Sequence, residues 1–414
     1  KGYGTCDYPD GTNRVSWEKN NAVYQHNGET TTYERNYCKV SSPRYFFKRI
    51  GNGTIANPYR YYKCNSDIGS YDVKDCNQAA ALSKAPSGYY EAGLDPRYYY
   101  KNSDRINSIA YERIARLKDG MIALLNGDSN TEKMGDNIVV GLSTIGTVTN
   151  RNAQNQATAW KQVGSIVVPA RPLGETVSGS RTQRDILINE VAKLEAKTLT
   201  PTAITYAEVA AYLMGRDALW HPYIYPNDSA YRNGVELDKA MANSPQSGFR
   251  YSSPDSKVAT QNDFHYIMPE SIKRQLGNSL ESQHAKECSG QGIYVLTDGA
   301  PNEDWPSRWM MQKVLNDKNF WAAGDNWPAI KEFSQYLLDP AKNPLGIEIK
   351  TAVVGFAKSF DSSTTVTEAK QWGIMGKGGW YSGTDTQDVV DSVKLFLKEI
   401  TKDVPSASTG ASTI

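Results

Sequence analysis

The sequence predicts an α/β fold: a doubly wound, mostly parallel sheet flanked by helices and interrupted by large irregular, disulfide-containing insertions. Three observations predict it. From residue 104 onward, strand-length apolar runs alternate with amphipathic segments of helical period, the pattern of parallel strands joined by crossover helices. Two long stretches, 1–103 and 217–288, break that pattern and are rich in Tyr, Asn and Ser. Four of the five cysteines, Cys6, Cys38, Cys64 and Cys76, fall in the first of these stretches.

Residues 1 to about 100 hold only short β-prone pieces between turn signals such as "PDG", "HNG" and "GNG". In "DRINSIAYERIARLKDGMIALLNG" (104–127) the apolar positions Ile106, Ile109, Ala110, Ile114, Leu117, Met121, Leu124 and Leu125 recur at helical spacing, with Asp104 placed to cap. "NIVVGLSTIG" (137–146) reads as a strand covered on both faces. "SIVVPARPL" (165–173) reads as a shorter strand toward a sheet edge, because Pro169 removes a ladder donor. Helices follow at 184–196 and, after the break "TLTPT" (198–202), at 203–215. Beyond the second irregular stretch come a strand in "GIYVLTDG" (292–299), helices at 305–317 and 328–339, and a buried strand in "GIEIKTAVVGF" (346–356). A short helix (368–376), an edge strand "GGWYSG" (378–383) and an amphipathic helix (385–401) complete the pattern.

Composition excludes some classes of function. Lys plus Arg number 46 against 45 Asp plus Glu, so a net charge of +1 gives no attraction toward nucleic acid or an acidic membrane. No run approaches the roughly 20 apolar residues of a membrane span, and no signal-peptide pattern opens the chain. The start at Lys1 is read as that of a processed or excised piece, and the tail "PSASTGASTI" as a linker. Tyr is used 26 times against 9 for Phe, in clusters such as "YRYYKC", which suits wet, outward-facing loops or a binding surface. No Gly-x-Ser-x-Gly elbow, phosphate loop or paired His and nucleophile is present, so no enzyme is expected.

The cysteine spacings match no zinc pattern, and the four histidines do not cluster. Four cysteines in one irregular lobe read as two disulfides, and hence as an extracellular protein. Cys6–Cys38 with Cys64–Cys76 is preferred among the three pairings, leaving Cys288 unpaired or the partner of a cysteine this chain lacks. The candidate site follows from the strand ending in Asp298. In open α/β sheets ligands gather at the carboxyl ends of strands, and a carboxylate with nearby hydroxyls suits a hard cation bound through oxygen. The alternative is a turn or helix-capping Asp.

The order of "NIVVGLSTIG", "TLTPTAITYAEV", "IYVLTDGAPN", "IKTAVVGF" and "GGWYSGTDTQDVVDSVKLFLKEI", with helices between, resembles a von Willebrand factor A domain over about residues 104–400. Within that group, "LTPTAITYAEVAAYL", "VLTDGAPN" and the final strand–helix pair resemble the amino-terminal A domain of PilC/PilY-type adhesins of type IV pili. The resemblance implies a metal-ion-dependent adhesion site in which Asp298 helps hold a divalent cation through water and Thr200 coordinates it, with Thr202 the fallback. Mg²⁺ is the implied ion, Ca²⁺ or Mn²⁺ the alternatives. The implied partners are a host-cell or extracellular-matrix receptor and the minor pilins, with a carboxyl-terminal propeller region absent from this chain. The alternative function is structural, a pilus-biogenesis or retraction-control module.

One departure is plain: no Asp-x-Ser-x-Ser strand precedes residue 104, and the loose match "DSSTT" (361–365) lies after a late strand. The central strand is therefore either upstream of Lys1, the preferred reading, or replaced by a degenerate one. The expected organisation is an insertion lobe (1–103), a first part of the A domain (104–216), a second insertion (217–288), a second part (289–403) and a tail (404–414).

Overall fold

The computed structural model describes residues 15–18, 21–40, 46–63, 81–86, 90–91, 111–151, 157–196, 200–219, 242–243, 247–297, 299–301, 307–356, 363–383 and 386–401. The chain divides into two compact units. The first holds Lys1–Leu124, Val191–Ala196 and Thr384–Val389; the second holds Leu125–Glu190, Lys197–Gly383 and Val390–Ile414.

The first unit carries short strands, β1 (Val15–Glu18), β2 (Asn21–His26), β3 (Glu29–Glu34), β4 (Tyr37–Val40), β5 (Phe46–Ile50), β6 (Arg60–Lys63) and β7 (Tyr90–Glu91). β1 pairs antiparallel with β4, and β5 sits between antiparallel β6 and parallel β7. β2 and β3 form a hairpin closed by Asn27 and Gly28, at φ 49° and 78°. Two central residues at positive φ are what a tight hairpin turn needs to match strand twist, which is why Asn-Gly stands there.

Helix α1 (Arg113–Asn126) follows. Its start differs from the long helical period expected from residue 104: Tyr111 and Glu112 are not helical. The reason is local, because the Glu112 amide donates to the Asn36 carbonyl at 3.0 Å and the Asn36 amide donates to the Glu112 carboxylate at 2.9 Å. Residues 104–110, with the expected Asp104 cap, lie outside the described residues. The buried face also departs from the apolar stripe. Arg116 and Lys118 are buried while Ile114 and Leu117 are only half-buried.

The second unit begins with β8 (Val139–Arg151), β9 (Ala157–Pro172), β10 (Thr176–Ser178) and β11 (Arg181–Thr182), then α2 (Gln183–Ala192), whose last two residues group with the first unit, and α3 (Thr202–Leu213). β8 corrects the sequence reading. It pairs antiparallel with β9 as a two-stranded ribbon, and Val139 is 37% exposed, so "NIVVGLSTIG" is not covered on both faces. An unbroken apolar run does not separate a sandwiched strand from one covered on a single side. β9 also extends well ahead of the expected 165–173 segment.

The stretch expected to be irregular is partly regular after residue 247. It holds one-turn helix α4 (Gly248–Tyr251), the hairpin β12 (Lys257–Ala259) and β13 (Phe264–Tyr266), one-turn helix α5 (Glu270–Lys273), and α6 (Leu280–Cys288). Elements of three or four residues are too short to show a period in sequence.

The parallel sheet comes last: β14 (Gln291–Thr297), α7 (Ser307–Leu315), α8 (Trp327–Leu338), β15 (Ile349–Gly355), α9 (Ser363–Met375), β16 (Lys377–Ser382) and α10 (Thr386–Thr401). The described sheet has three strands in the order β14-β15-β16, all parallel. β15 is buried at all seven positions, as a central strand between covering helices must be, and β16 forms the edge. Its approach to β15 is close enough that a Cβ at Gly378 would stand 2.3 Å from the Thr351 carbonyl carbon. α3, α7, α8, α9, β14 and β15 share one apolar core. At its centre Tyr206 stacks edge-on against Phe333 and Trp372, at 5.2 and 5.1 Å between ring centres, and its hydroxyl lies 2.6 Å from Thr351 Oγ1.

Candidate functional site

The three parallel strands end level with one another. Thr297 pairs with Gly355, and Gly355 with Ser382. Backbone hydrogen bonding runs one step past the strands, from the Phe356 amide to the Thr297 carbonyl (2.8 Å) and from the Gly383 amide to the Gly355 carbonyl (3.1 Å). This ladder fixes the buried Thr297 at the rim of the sheet, so the next residue leaves from a rigid edge. That next residue, Asp298, lies outside the described residues. The chain on its far side is tied back: Thr297 Oγ1 donates to the Gly299 carbonyl at 3.1 Å. This is a hydroxyl–backbone contact of the kind Thr makes in turns.

Thr200 and Thr202 stand at the start of α3. Pro201 has φ −74° and ψ 63°, and the Thr202 amide donates to the Thr200 carbonyl at 2.8 Å, which together make an inverse γ-turn. Thr202 is buried, its hydroxyl making a long 3.4 Å contact with the same carbonyl; Thr200 is half-buried. Thr205, one turn on, donates its hydroxyl to the Pro201 carbonyl at 2.8 Å and so locks the turn to the helix. The described contacts of these threonines are with the helix start itself, and no contact between them and Thr297 or Gly299 is described. Among the described residues no group of three His, Cys, Asp or Glu side chains is placed to hold a metal ion. Of "DSSTT", Ser363 opens α9 and Asp361 is not described.

Cys6, Cys64 and Cys76 lie outside the described residues. Cys38 falls on β4 and Cys288 ends α6, with neither side chain described. The disulfide pairing is therefore not placed. No helix among the described residues is long and apolar enough to cross a membrane. A cavity of about 500 Å³ opens beside Gln291, Lys350 and Lys377, at the amino ends of the parallel strands and so at the end opposite Thr297.

The sequence reading missed a buried acid. Glu208, two turns into α3, is 1% exposed and accepts a hydrogen bond from the Tyr266 hydroxyl. Burial pushes its pKa up to about 7, against the lowering influence of that hydrogen bond and of Lys257 and Lys313. A signal was present in "TAITYAEVAAYL", where one acid interrupts a helix that is otherwise small, apolar or hydroxyl-bearing and so has no solvent face for it.

A second polar cluster binds the β2–β3 hairpin to α1. Asp119 accepts from Arg35 Nε at 2.8 Å and from the Tyr33 hydroxyl, while Arg35 donates to the Tyr111 hydroxyl at 2.9 Å and lies 3.6 Å over that ring. Burial raises the Asp119 pKa, and Arg35 and Tyr33 work in the opposite direction.

No family model matches this chain, and no curated protein or solved structure matches it.

Proposed function

We propose that this chain is a von Willebrand factor A-type adhesion module of a PilC/PilY-type pilus protein, acting outside the cell at a pilus tip or bacterial surface. The fold assignment rests on the same proposal. The observation that supports it is the level carboxyl rim of β14, β15 and β16, where Thr297, the residue before Asp298 in sequence, is tied to the neighbouring strand by the Phe356–Thr297 hydrogen bond. In open parallel sheets that rim is where ligands are held.

In this reading Asp298 and Thr200, or Thr202 in its place, hold Mg²⁺, and a carboxylate of the bound partner completes the shell. The metal supplies a concentrated positive charge at the contact. The chain's own part is to hold the oxygens still: the γ-turn at Pro201 fixes the two threonines, and the ladder fixes Thr297, the residue before Asp298 in sequence. The Tyr-rich insertions supply contact area and selectivity, and no catalytic step is assigned to the module.

Calorimetric titration with Mg²⁺ and Ca²⁺ tests this. The wild type is expected to bind, and Asp298→Ala to lose binding without loss of stability. Equal binding by the two proteins would remove the metal site from the proposal. Cell or matrix binding abolished by EDTA is expected of an adhesin; binding to minor pilins alone would favour the assembly role.

A further inference from the structure

We infer that Glu208 and Tyr266 form a protonation latch that clamps residues 247–266 onto α3 and β9 when the carboxyl is protonated and releases them locally when it ionises. This rests on geometry independent of the metal-site reading. The clamped segment is seated by close backbone contact: a Cβ at Gly248 would lie 1.9 Å from the Gly164 carbonyl oxygen and 2.9 Å from Glu208 Cδ. Ser252 Oγ accepts from the Ile166 amide at 3.0 Å and donates to the Gly248 carbonyl at 2.9 Å, and the Ser253 amide donates to the Ile166 carbonyl at 2.8 Å. Phe249 and Tyr212 both pack edge-on against the Tyr266 ring, which is fully buried.

The carboxyl under this lid has no cation within ion-pair distance among the described residues. The groups that face it are the Tyr266 hydroxyl from β13, Lys257 from β12 and Lys313 from α7. α4 brings Gly248, and β9 brings Gly164 beside Thr205; Arg250 of α4 donates to the Asn243 carbonyl and Arg171 of β9 faces Glu175 and Asp255, and neither acts on this carboxyl. Lys257 spends its ammonium on the Phe249 and Arg250 carbonyls, and the Lys313 ammonium donates to the Ala218 carbonyl. An ionised Glu208 is therefore balanced by one phenol and by two ammonium groups at longer range, with the residue only 1% exposed. Lifting the segment hydrates it, which is the cheaper state once the charge is present.

The direction follows from linkage. The carboxyl in the closed state holds its proton to about pH 7, whereas in an opened state it returns toward 4.5. Closure is therefore favoured at low pH and weakens as pH rises from 4.5 through 7. Hydrogen exchange of the full chain, corrected for intrinsic rates and followed by mass spectrometry, tests this. Peptides covering 247–266 are expected to open on the order of tenfold more at pH 8 than at pH 5.5, while peptides covering 349–355 stay level. Glu208→Gln is expected to abolish the pH dependence. Tyr266→Phe removes a hydrogen bond that lowers the Glu208 pKa, so it is expected to move the opening midpoint to higher pH. Level exchange in the wild type, an undiminished slope in Glu208→Gln, or an unmoved midpoint in Tyr266→Phe would each overturn the latch. Mg²⁺ titration at pH 5.5 reads the adhesion site separately.

Discussion

Asp119 in the first unit and Glu208 in the second are both acids with little solvent contact in the middle of a helix, but Asp119 meets a guanidinium at 2.8 Å and Glu208 meets a phenol. Burial raises both pKa values. Arg35 opposes that rise directly at Asp119, whereas the two lysines near Glu208 act through space with their ammonium groups given to carbonyls. The difference shows how the units are built. The described part of the first unit has short strands, and it holds its hairpin with a charged network. The second has a continuous core around β15 and can seal an acid beneath it.

The largest expected effect tests that core. Trp372→Ala empties a fully buried site against Tyr206 and Trp327, and is expected to cost about 3–5 kcal/mol in urea unfolding. A loss below about 1 kcal/mol would mean that the second unit does not depend on this packing. Next, Arg35→Ala leaves Asp119 without its cation and is expected to cost about 2–3 kcal/mol. Adding Asp119→Asn should recover part of it, because the stranded charge is gone. No recovery would place the cost in lost packing on Tyr111 instead of in charge. The smallest is Gly28→Ala. Space there is open, so only the strain of φ 78° acts, and about 1 kcal/mol is expected, confined to exchange protection of the β2–β3 amides.

The strands at 291–297 and 349–355 are legible in sequence because each is a compact β-branched or apolar run bounded by Gly, Asp or Pro. The hairpin turn at Asn27-Gly28 is legible for a chemical reason, since few other pairs reach two positive φ values. "NIVVGLSTIG" misleads because an apolar run carries no record of what covers each face. The buried cations of α1, Arg116 and Lys118, are hidden for a related reason: no helical period announces their burial, and Lys118 reaches the Glu34 carbonyl of the distant β3 strand at 3.4 Å. At the candidate site the threonines and the strand end are readable as separate pieces, but whether a fold joins them is not written in either run. Glu208 was visible as an oddity in its helix; its partner Tyr266, 58 residues away, was not.

The edge of the parallel sheet carries a last consequence, for sequence variation. A Cβ at Gly373 would meet the Gly379 carbonyl oxygen at 2.4 Å, one at Gly376 would meet Thr351 at 2.8 Å, and one at Gly378 would meet the Thr351 backbone at 2.3 Å. Three positions within six residues therefore admit no side chain at all without moving backbone. In a saturation library of this segment the survivors should be silent at those three codons, and the exposed Lys377, at φ 53°, should vary mainly toward Gly, Asn and Asp, so that the edge of the sheet is inherited as a block.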